Sequence, residues 1–161
     1  MTQELFRVGI GYDVHRLVKG RDLILGGVPI AHDKGLLGYS DADVLIHAII
    51  DAILGALGKG DIGQHFPDSD PAYRGADSII LLREVLSLVH KEGFSLNNLD
   101  ASIIAQKPKL TAYLGAMKER ITSVVDEPCA VNIKATTTEG LGFCGREEGI
   151  GACAVVSLLG K

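Results

Sequence analysis

This sequence predicts a mixed α/β (α+β) fold in which a single mixed sheet is covered by helices. Short β-like runs alternate with runs of apolar residues at helical spacing, and neither an internal repeat nor a Pro/Ser-rich linker interrupts them, so residues 1–161 read as one domain. Hydrophobic residues make up 47% of the chain, enough for a packed core. The 20 glycines are dispersed along the 161 residues, about 12% against a usual ~7%, which fits many tight turns and close backbone approaches.

In chain order, Arg7 to His15 alternates around glycines and reads as a strand. Asp22 to Ile30 holds two short β-rich runs split by Gly26-Gly27, a hairpin. Ser40-Asp41 offers N-cap chemistry for a helix of about 15 residues ending at Leu57. Leu45, Ile46, Ile49, Ile50, Ile53 and Leu57 recur there at helical spacing, and Gly58 to Gly60 ends it. Asp61 to Arg74, with Pro67, Pro71 and several aspartates, is a turn-rich loop. Asp77 or Ser78 caps a second helix to about Glu92, Leu99 to Ala105 is β-like, and a third helix runs from about Thr111 to Val125. The β-like runs Val131 to Thr136 and Gly151 to Leu159 close the chain.

Composition excludes several functions. Sixteen basic against twenty acidic side chains give a net charge of −4, and no Lys/Arg cluster or Trp is present to neutralise phosphates or stack bases, so nucleic acid is not the expected partner. Cys129, Cys144 and Cys153 are odd in number and lack CxxC spacing, which argues against a disulfide framework or thiolate zinc site; Cys144 and Cys153 read as structural. The opening MTQELFRVGI lacks a basic segment followed by an apolar one, and the greasiest stretch, Val44 to Leu57, is broken by His47 and Asp51. A cytoplasmic protein without a membrane partner is expected.

Asp13-Val14-His15 is the sharpest local feature. On a strand, residues i and i+2 share a face, so this carboxylate and imidazole project together while Val14 is expected to point into the core. His47 is a third candidate ligand, in a stripe with Asp43 and Asp51 at four-residue spacing opposite a Leu45/Ile49/Ile53 face. Two His and one Asp around an open position describe a Lewis-acidic zinc site. Non-haem iron takes the same set, and a D-x-H pair near a His flanked by Asp also describes a hydrogen-bonded structural group.

Three further segments carry polar chemistry. Lys134 to Arg146 joins Thr136, Thr137, Thr138, Glu139 and Arg146 around glycine turns, groups that hold phosphate oxygens and a divalent cation, or else a Thr-rich strand end with a surface ion pair. Gly60-Asp61-Ile62-Gly63 offers a carboxylate for ribose hydroxyls and an open amide, or a plain turn. Ala105-Gln106-Lys107-Pro108-Lys109-Leu110 is a strand-to-helix junction whose backbone fits a base edge, or a Pro-bearing turn with solvated lysines.

Together these segments resemble the family of 2-C-methyl-D-erythritol 2,4-cyclodiphosphate synthases, the cyclising enzymes of the non-mevalonate isoprenoid pathway. The resemblance runs from about Arg7 to Leu159 through GYDVHRL, GGVPI, KGLLGYSDADVLIHAIIDAILGA, GDIGQHFPDSDP, IIAQKPKL and IKATTTEGLGFCGREEGIGA. It implies a homotrimer with active sites between subunits, and one zinc ion per chain on Asp13, His15 and His47. It further implies a cytidine pocket in the neighbouring subunit from Ala105, Gln106, Lys107, Pro108, Lys109, Leu110 and Thr111 with Thr136, Thr137 and Thr138. Asp61, Ile62 and Gly63 would meet the sugar hydroxyls, and Phe66, Pro67, Asp68, Ser69 and Asp70 would form a loop over the substrate. Glu139 would hold magnesium or manganese between the α and β phosphates. Phe143 and Arg146 would face an axial cavity that admits an isoprenoid diphosphate. The family usually carries His-Ser-Asp where this chain has Tyr39-Ser40-Asp41, and Thr where it has Cys144. The family's His is assigned to transition-state stabilisation, and the Tyr39 hydroxyl offers a donor in its place.

The reaction so implied converts 4-diphosphocytidyl-2-C-methyl-D-erythritol 2-phosphate to the 2,4-cyclodiphosphate with release of CMP. Its nucleophile is already anionic, so charge neutralisation and alignment replace a dedicated base. Tyr39 and Thr137 are the catalytic candidates, Thr137 hydrogen-bonding the developing charge, and Ser40 is expected to touch substrate. Two rivals remain: a metal-dependent nucleotide-diphosphate hydrolase using the same residues with water, and a non-enzymatic trimeric isoprenoid-diphosphate sensor built on Phe143 and Arg146.

Overall fold

A computed structural model describes residues 5–125 and 128–161; residues 1–4, where a leader was sought, and 126–127 lie outside the described residues. Strand β1 (Phe6–Lys19) is followed by the ribbon β2 (Leu23–Leu25) and β3 (Val28–Ile30), then by β4 (Lys34–Leu36). Helix α1 (Val44–Leu57), the single turn α2 (Ile62–His65) and a 3₁₀ turn (Pro71–Tyr73) lead to helix α3 (Ser78–Lys91). Strand β5 (Phe94–Ile104), helix α4 (Leu114–Thr122), strand β6 (Ala130–Thr136), the turn α5 (Gly142–Gly145) and strand β7 (Gly149–Gly160) complete the chain.

The main sheet has the order β4-β1-β7-β5-β6 and is mixed, as expected: β5 and β6 are parallel and every other pair is antiparallel. Parallel neighbours need a crossover, and α4 supplies it, packing Met117 and Ile121 inward. The central strand β7 turns Ile150, Ala152, Ala154, Val156 and Leu158 towards the helices, all fully buried.

On β1, alternation places Gly9, Gly11, Asp13 and His15 on the face that meets α1. A Cβ on Gly9 would lie 1.9 Å from the Ala52 carbonyl oxygen, and one on Gly11 1.9 Å from that of Ala48. The helix therefore rests directly on strand backbone, which glycine on one side and alanine on the other permit. Val14 does not enter the core as expected. It falls on the opposite face with Val8, Ile10 and Tyr12, because the glycines claim the helix side.

Helix α1 also departs from its expected amphipathicity. Apart from Asp51 and Gly55 it is buried all round, held between the sheet and α3. Its cap is Asp43 rather than Ser40-Asp41. The Asp43 carboxylate accepts from the amides of Ile46 (3.1 Å), Gly26 (3.0 Å) and Gly27 (2.6 Å), so one buried side chain closes the helix and ties down the hairpin turn. Asp77 caps α3 through the Ile79 amide, one of the two expected choices. The third helix is shorter than expected because Leu110–Tyr113 forms a turn before it.

The tight approach yields a pair of substitutions with opposite signs. Gly11→Ala forces helix and strand apart and should destabilise the protein by roughly 3 kcal/mol or more. Gly55→Ala meets only the Ile10 carbonyl oxygen at 3.7 Å and should stabilise it by up to about 1 kcal/mol. Urea unfolding midpoints of both variants check the difference.

Candidate active site

The register of α1 on β1 brings His47, the residue before Ala48, over Asp13 and His15. Asp13 Oδ2 lies 2.9 Å from His15 Nε2 and 3.1 Å from His47 Nδ1, and the two ring nitrogens are 3.1 Å apart. Among the described residues this is the one group of three or more His, Cys, Asp or Glu side chains whose donor atoms lie within 4.8 Å of one another.

Each partner is held from behind. The Asp13 Oδ1 atom accepts from the Val14 amide at 2.8 Å, leaving Oδ2 to the cluster. His15 Nδ1 faces the Leu37 carbonyl at 2.7 Å, which can only accept, so Nδ1 carries a proton and donates while Nε2 offers a lone pair in the neutral ring. His47 Nε2 is met by the hydroxyls of Ser78 (3.0 Å) and Ser40 (3.1 Å). A proton on Nε2 leaves the Nδ1 lone pair towards Asp13 and His15. Three lone pairs then converge on one point, an arrangement that a proton or a cation must reconcile. Ligand atoms in a tetrahedron with bonds of about 2.0 Å lie about 3.3 Å apart, so the donor set fits a small N/O-ligated ion such as zinc.

Asp43 and Asp51 do not join the cluster. Asp43 is spent on the cap, and Asp51 accepts from the Ile62 amide at 2.7 Å, seating α2 beside the cleft. The cleft, about 300 Å³, is lined by Asp13, His15, Tyr39, Ser40, His47, Ile62, Gly63, Phe66 and Asp68 of the predicted site, together with Leu37, Gly38, Tyr73 and Leu81. Asp61 caps α2 through the Gln64 amide, while Asp70 caps the 3₁₀ turn, and neither lines the cleft. Phe66 packs edge-on against Tyr73, which folds the loop back towards the Tyr39–Asp41 segment. That segment is pinned by the Gly75 amide donating to the Tyr39 carbonyl (2.8 Å), and by Arg21 donating to the carbonyls of Gly38 (3.2 Å) and Ser40 (3.0 Å). The Arg74 guanidinium stands 5.6 Å from the Tyr39 ring centre.

The remaining predicted residues gather elsewhere. Ala105, Gln106, Pro108, Lys109, Leu110, Thr111, Thr136 and Thr137, with Ala135, line a second pocket of about 330 Å³ where β5 and β6 end. The Gly140 amide donates to Gln106 Oε1 (3.1 Å), joining its two loops. Thr137 donates to the Glu139 carboxylate at 3.2 Å, and Glu139 holds a left-handed φ of 52°, uncommon outside glycine. Lys107 pairs with Glu147. Thr138 and Phe143 belong to a small apolar hollow with Tyr12, Leu141 and Cys144, while Arg146 is exposed and clamped on both oxygens of Glu148.

Arg21, Asp41 and Ser78 were not read as site residues. Arg21 carries no local signal, since its partners are distant in sequence, and Asp41 is legible only as a cap candidate for α1. Ser78 was legible only as a cap candidate, and with Asp77 capping α3 its hydroxyl is left for His47.

The chain matches the YgbB family model over residues 6–159. It is 61% identical over 153 residues to a 2-C-methyl-D-erythritol 2,4-cyclodiphosphate synthase of Geotalea daltonii, covering 94% of this chain and 90% of that relative. Among solved structures it is similar to the bifunctional IspDF of Campylobacter jejuni (TM-score 0.92, 42% identity), spanning 99% of this chain but 43% of that one. It is also similar to the IspF of Plasmodium falciparum in complex with CDP (TM-score 0.83, 34% identity, 97% of each chain).

Burial alone would raise the Asp13 carboxyl, but hydrogen bonds from His15 and His47 outweigh it and hold it below the usual carboxylate range. Burial alone would lower His15, but the Asp13 carboxylate raises it above 6.5. A raised histidine stabilises the fold fully below 6.5 and loses that contribution as the pH rises through its folded value. Metal-free protein should therefore unfold at progressively lower urea as the pH climbs above about 6.5. Asp13→Asn should remove that slope, and an unchanged slope would assign it to another group.

Proposed function

The chain belongs to the YgbB family, and on that premise we propose that it converts 4-diphosphocytidyl-2-C-methyl-D-erythritol 2-phosphate to 2-C-methyl-D-erythritol 2,4-cyclodiphosphate and CMP at a metal centre of Asp13, His15 and His47. It is an enzyme, a phosphorus–oxygen lyase of isoprenoid biosynthesis. The observation that carries the reading is the convergence of three donor atoms in a cleft also lined by Tyr39, Ser40 and Gly63, which would meet the phosphates.

Asp13, His15 and His47 would hold Zn²⁺, which would supply Lewis-acid offset of phosphate charge. The 2-phosphate oxygen forms a new bond to the β-phosphorus as the bond to the CMP oxygen breaks, and CMP leaves with that electron pair. The chain's own residues align the two phosphates, and such alignment within one molecule is worth roughly 7 to 11 kcal/mol of barrier at best. Tyr39 and Ser40 offer hydroxyls at the cleft, and Thr137 is assigned to the charge that grows on transfer. Glu139, exposed beside Thr137, would hold Mg²⁺ or Mn²⁺, which would offset further phosphate charge. Asp61, Ile62 and Gly63 would meet the sugar, and the loop of Phe66, Pro67, Asp68, Ser69 and Asp70 would cover it.

The cytidine would occupy the second pocket, lined by Ala105, Gln106, Pro108, Lys109, Leu110, Thr111, Thr136 and Thr137, with Lys107 and Thr138 next to it in sequence. This pocket opens where β5 and β6 end, whereas the candidate metal cleft sits over β1, roughly 14 Å away across three strand spacings. Thr136 also lies on the sheet face opposite Asp13. The two halves of the site thus lie on separate strands and opposite faces of one chain, which favours a homotrimer with sites between subunits. The face turned away from the helices supports this, since Phe6, Val8, Ile10, Tyr12 and Val155 are exposed on it. Phe143 and Arg146 would then face an axial cavity able to take an isoprenoid diphosphate. The whole chain, 1–161, acts as one catalytic domain. A cytoplasmic setting is favoured by Cys129, Cys144 and Cys153, all free thiols. No helix among the described residues is long and apolar enough to cross a membrane.

Metal analysis combined with a CMP-release assay tests the reading. Wild-type protein should carry about one zinc per chain and release CMP with cyclic product, and His47→Ala should lose both while remaining folded. Full zinc content and activity in His47→Ala would remove that residue from the site. Tyr39→Phe deletes one hydroxyl and keeps the ring. It should lower kcat about 10-fold or more, the effect of a hydrogen bond to a charged group of about 1.5 to 3 kcal/mol, and Tyr39→His should restore the rate. Equal rates for Phe and Tyr would reduce the side chain to a cover over the cleft.

A further inference from the structure

The Ser78 hydroxyl has no part in the reaction just described, yet it is fully buried at the start of α3 and lies 3.0 Å from His47 Nε2. Its other neighbour is Asp41. Ser78 Oγ makes a short hydrogen bond to Asp41 Oδ1, and the Ser78 amide donates to Asp41 Oδ2 at 2.9 Å. The Asp43 amide also donates to Asp41 Oδ1, at 3.1 Å, so this carboxylate is fixed by three donors. A carboxylate has no proton to give, so the Ser78 hydroxyl proton goes to Asp41. Ser78 Oγ then presents only lone pairs to His47, and Nε2 must be the protonated nitrogen. The Nδ1 lone pair is thereby committed to the point shared with Asp13 and His15.

We propose that Asp41 and Ser78 are positioning residues of the metal centre. They form a relay from Asp41 through Ser78 to His47, which locks the imidazole in its ligating tautomer and strengthens Nδ1 as a donor. Ser40 Oγ, 3.1 Å from the same nitrogen, accepts from the Ala42 amide, but no carboxylate claims its proton. It therefore tolerates either tautomer and does not select one. The relay joins the loop before α1, the first residue of α3 and the first turn of α1, so docking of α3 is coupled to the geometry of the candidate metal ligands.

The inference rests on reading Asp13, His15 and His47 as a metal centre. Zinc dissociation constants of the wild-type, Ser78→Ala, Asp41→Asn and Ser40→Ala proteins, measured by competition with a chromophoric chelator, test it. The visible spectrum of each Co²⁺-loaded protein gives a second readout independent of activity. Ser78→Ala and Asp41→Asn should bind zinc roughly 10- to 100-fold more weakly, with altered Co²⁺ bands, and Ser40→Ala should change affinity by less than about 10-fold. If Ser78→Ala fails to fold, Asp41→Asn decides. Folded variants that bind zinc as tightly as wild type would overturn the relay, as would an equal loss in Ser40→Ala. Wild-type protein that takes up no zinc would overturn the metal reading itself.

Discussion

Between α1 and β1 no side chain intervenes at Gly9 and Gly11, and the carbonyl oxygens of Ala52 and Ala48 occupy the space their Cβ atoms would need. Two backbones in direct contact have little freedom to slide or roll, because any shift drives a carbonyl into the strand. The contact ends where the strand's next two inward residues, Asp13 and His15, meet the helix residue next to Ala48, which is His47. Steric necessity along the fold thus becomes ligand geometry at its end. Only glycines along the strand and small residues along the helix allow it, and bulk on either side would open the cleft by ångströms.

Electrostatics completes what packing begins. The chain carries a net charge of −4 and would act on a polyanion, yet the cleft's own charged side chains include Asp13 and Asp68. A cation held by two imidazoles and a carboxylate would resolve this, attracting phosphate in a cleft whose lining includes no lysine or arginine. The supporting shell is accordingly dense: Leu37 behind His15, Ser40 and Ser78 behind His47, and the Val14 amide behind Asp13. No buried side-chain nitrogen or oxygen among the described residues lacks a partner, so the cluster's only unresolved valence is the point on which its lone pairs converge.

The sheet separates two tasks by its two faces. Helices cover one face and shape the cleft over β1, while the loops after β5 and β6 build a polar pocket on the far side of the sheet. The uncovered face is apolar towards β1, with Ile10 70% exposed, and polar towards β6, where Asp100 binds Lys134 and Asn132. An asymmetric face of this kind suits head-to-tail packing of copies around an axis, in which one chain's apolar strand meets its neighbour.

What the sequence by itself determined follows from local periodicity. Asp13 and His15 had to share a face because strands repeat every two residues, and the run from Leu45 to Leu57 had to be a helix that ends at glycine. The joint order of motifs identifies the family, and the resemblance implies the ligand set. Tertiary structure decided which face of β1 looks inward, and it chose the glycine face, sending Val14 outward. It also gave the cap to Asp43, took Asp51 for the Ile62 amide, and handed Ser78 to His47. Those roles depend on partners 3 to 31 residues apart, the distant ones brought together by the packing of α1 against β1 and α3. A repeat pattern reports where a side chain points relative to its own element, and only the docking of elements determines what it meets there.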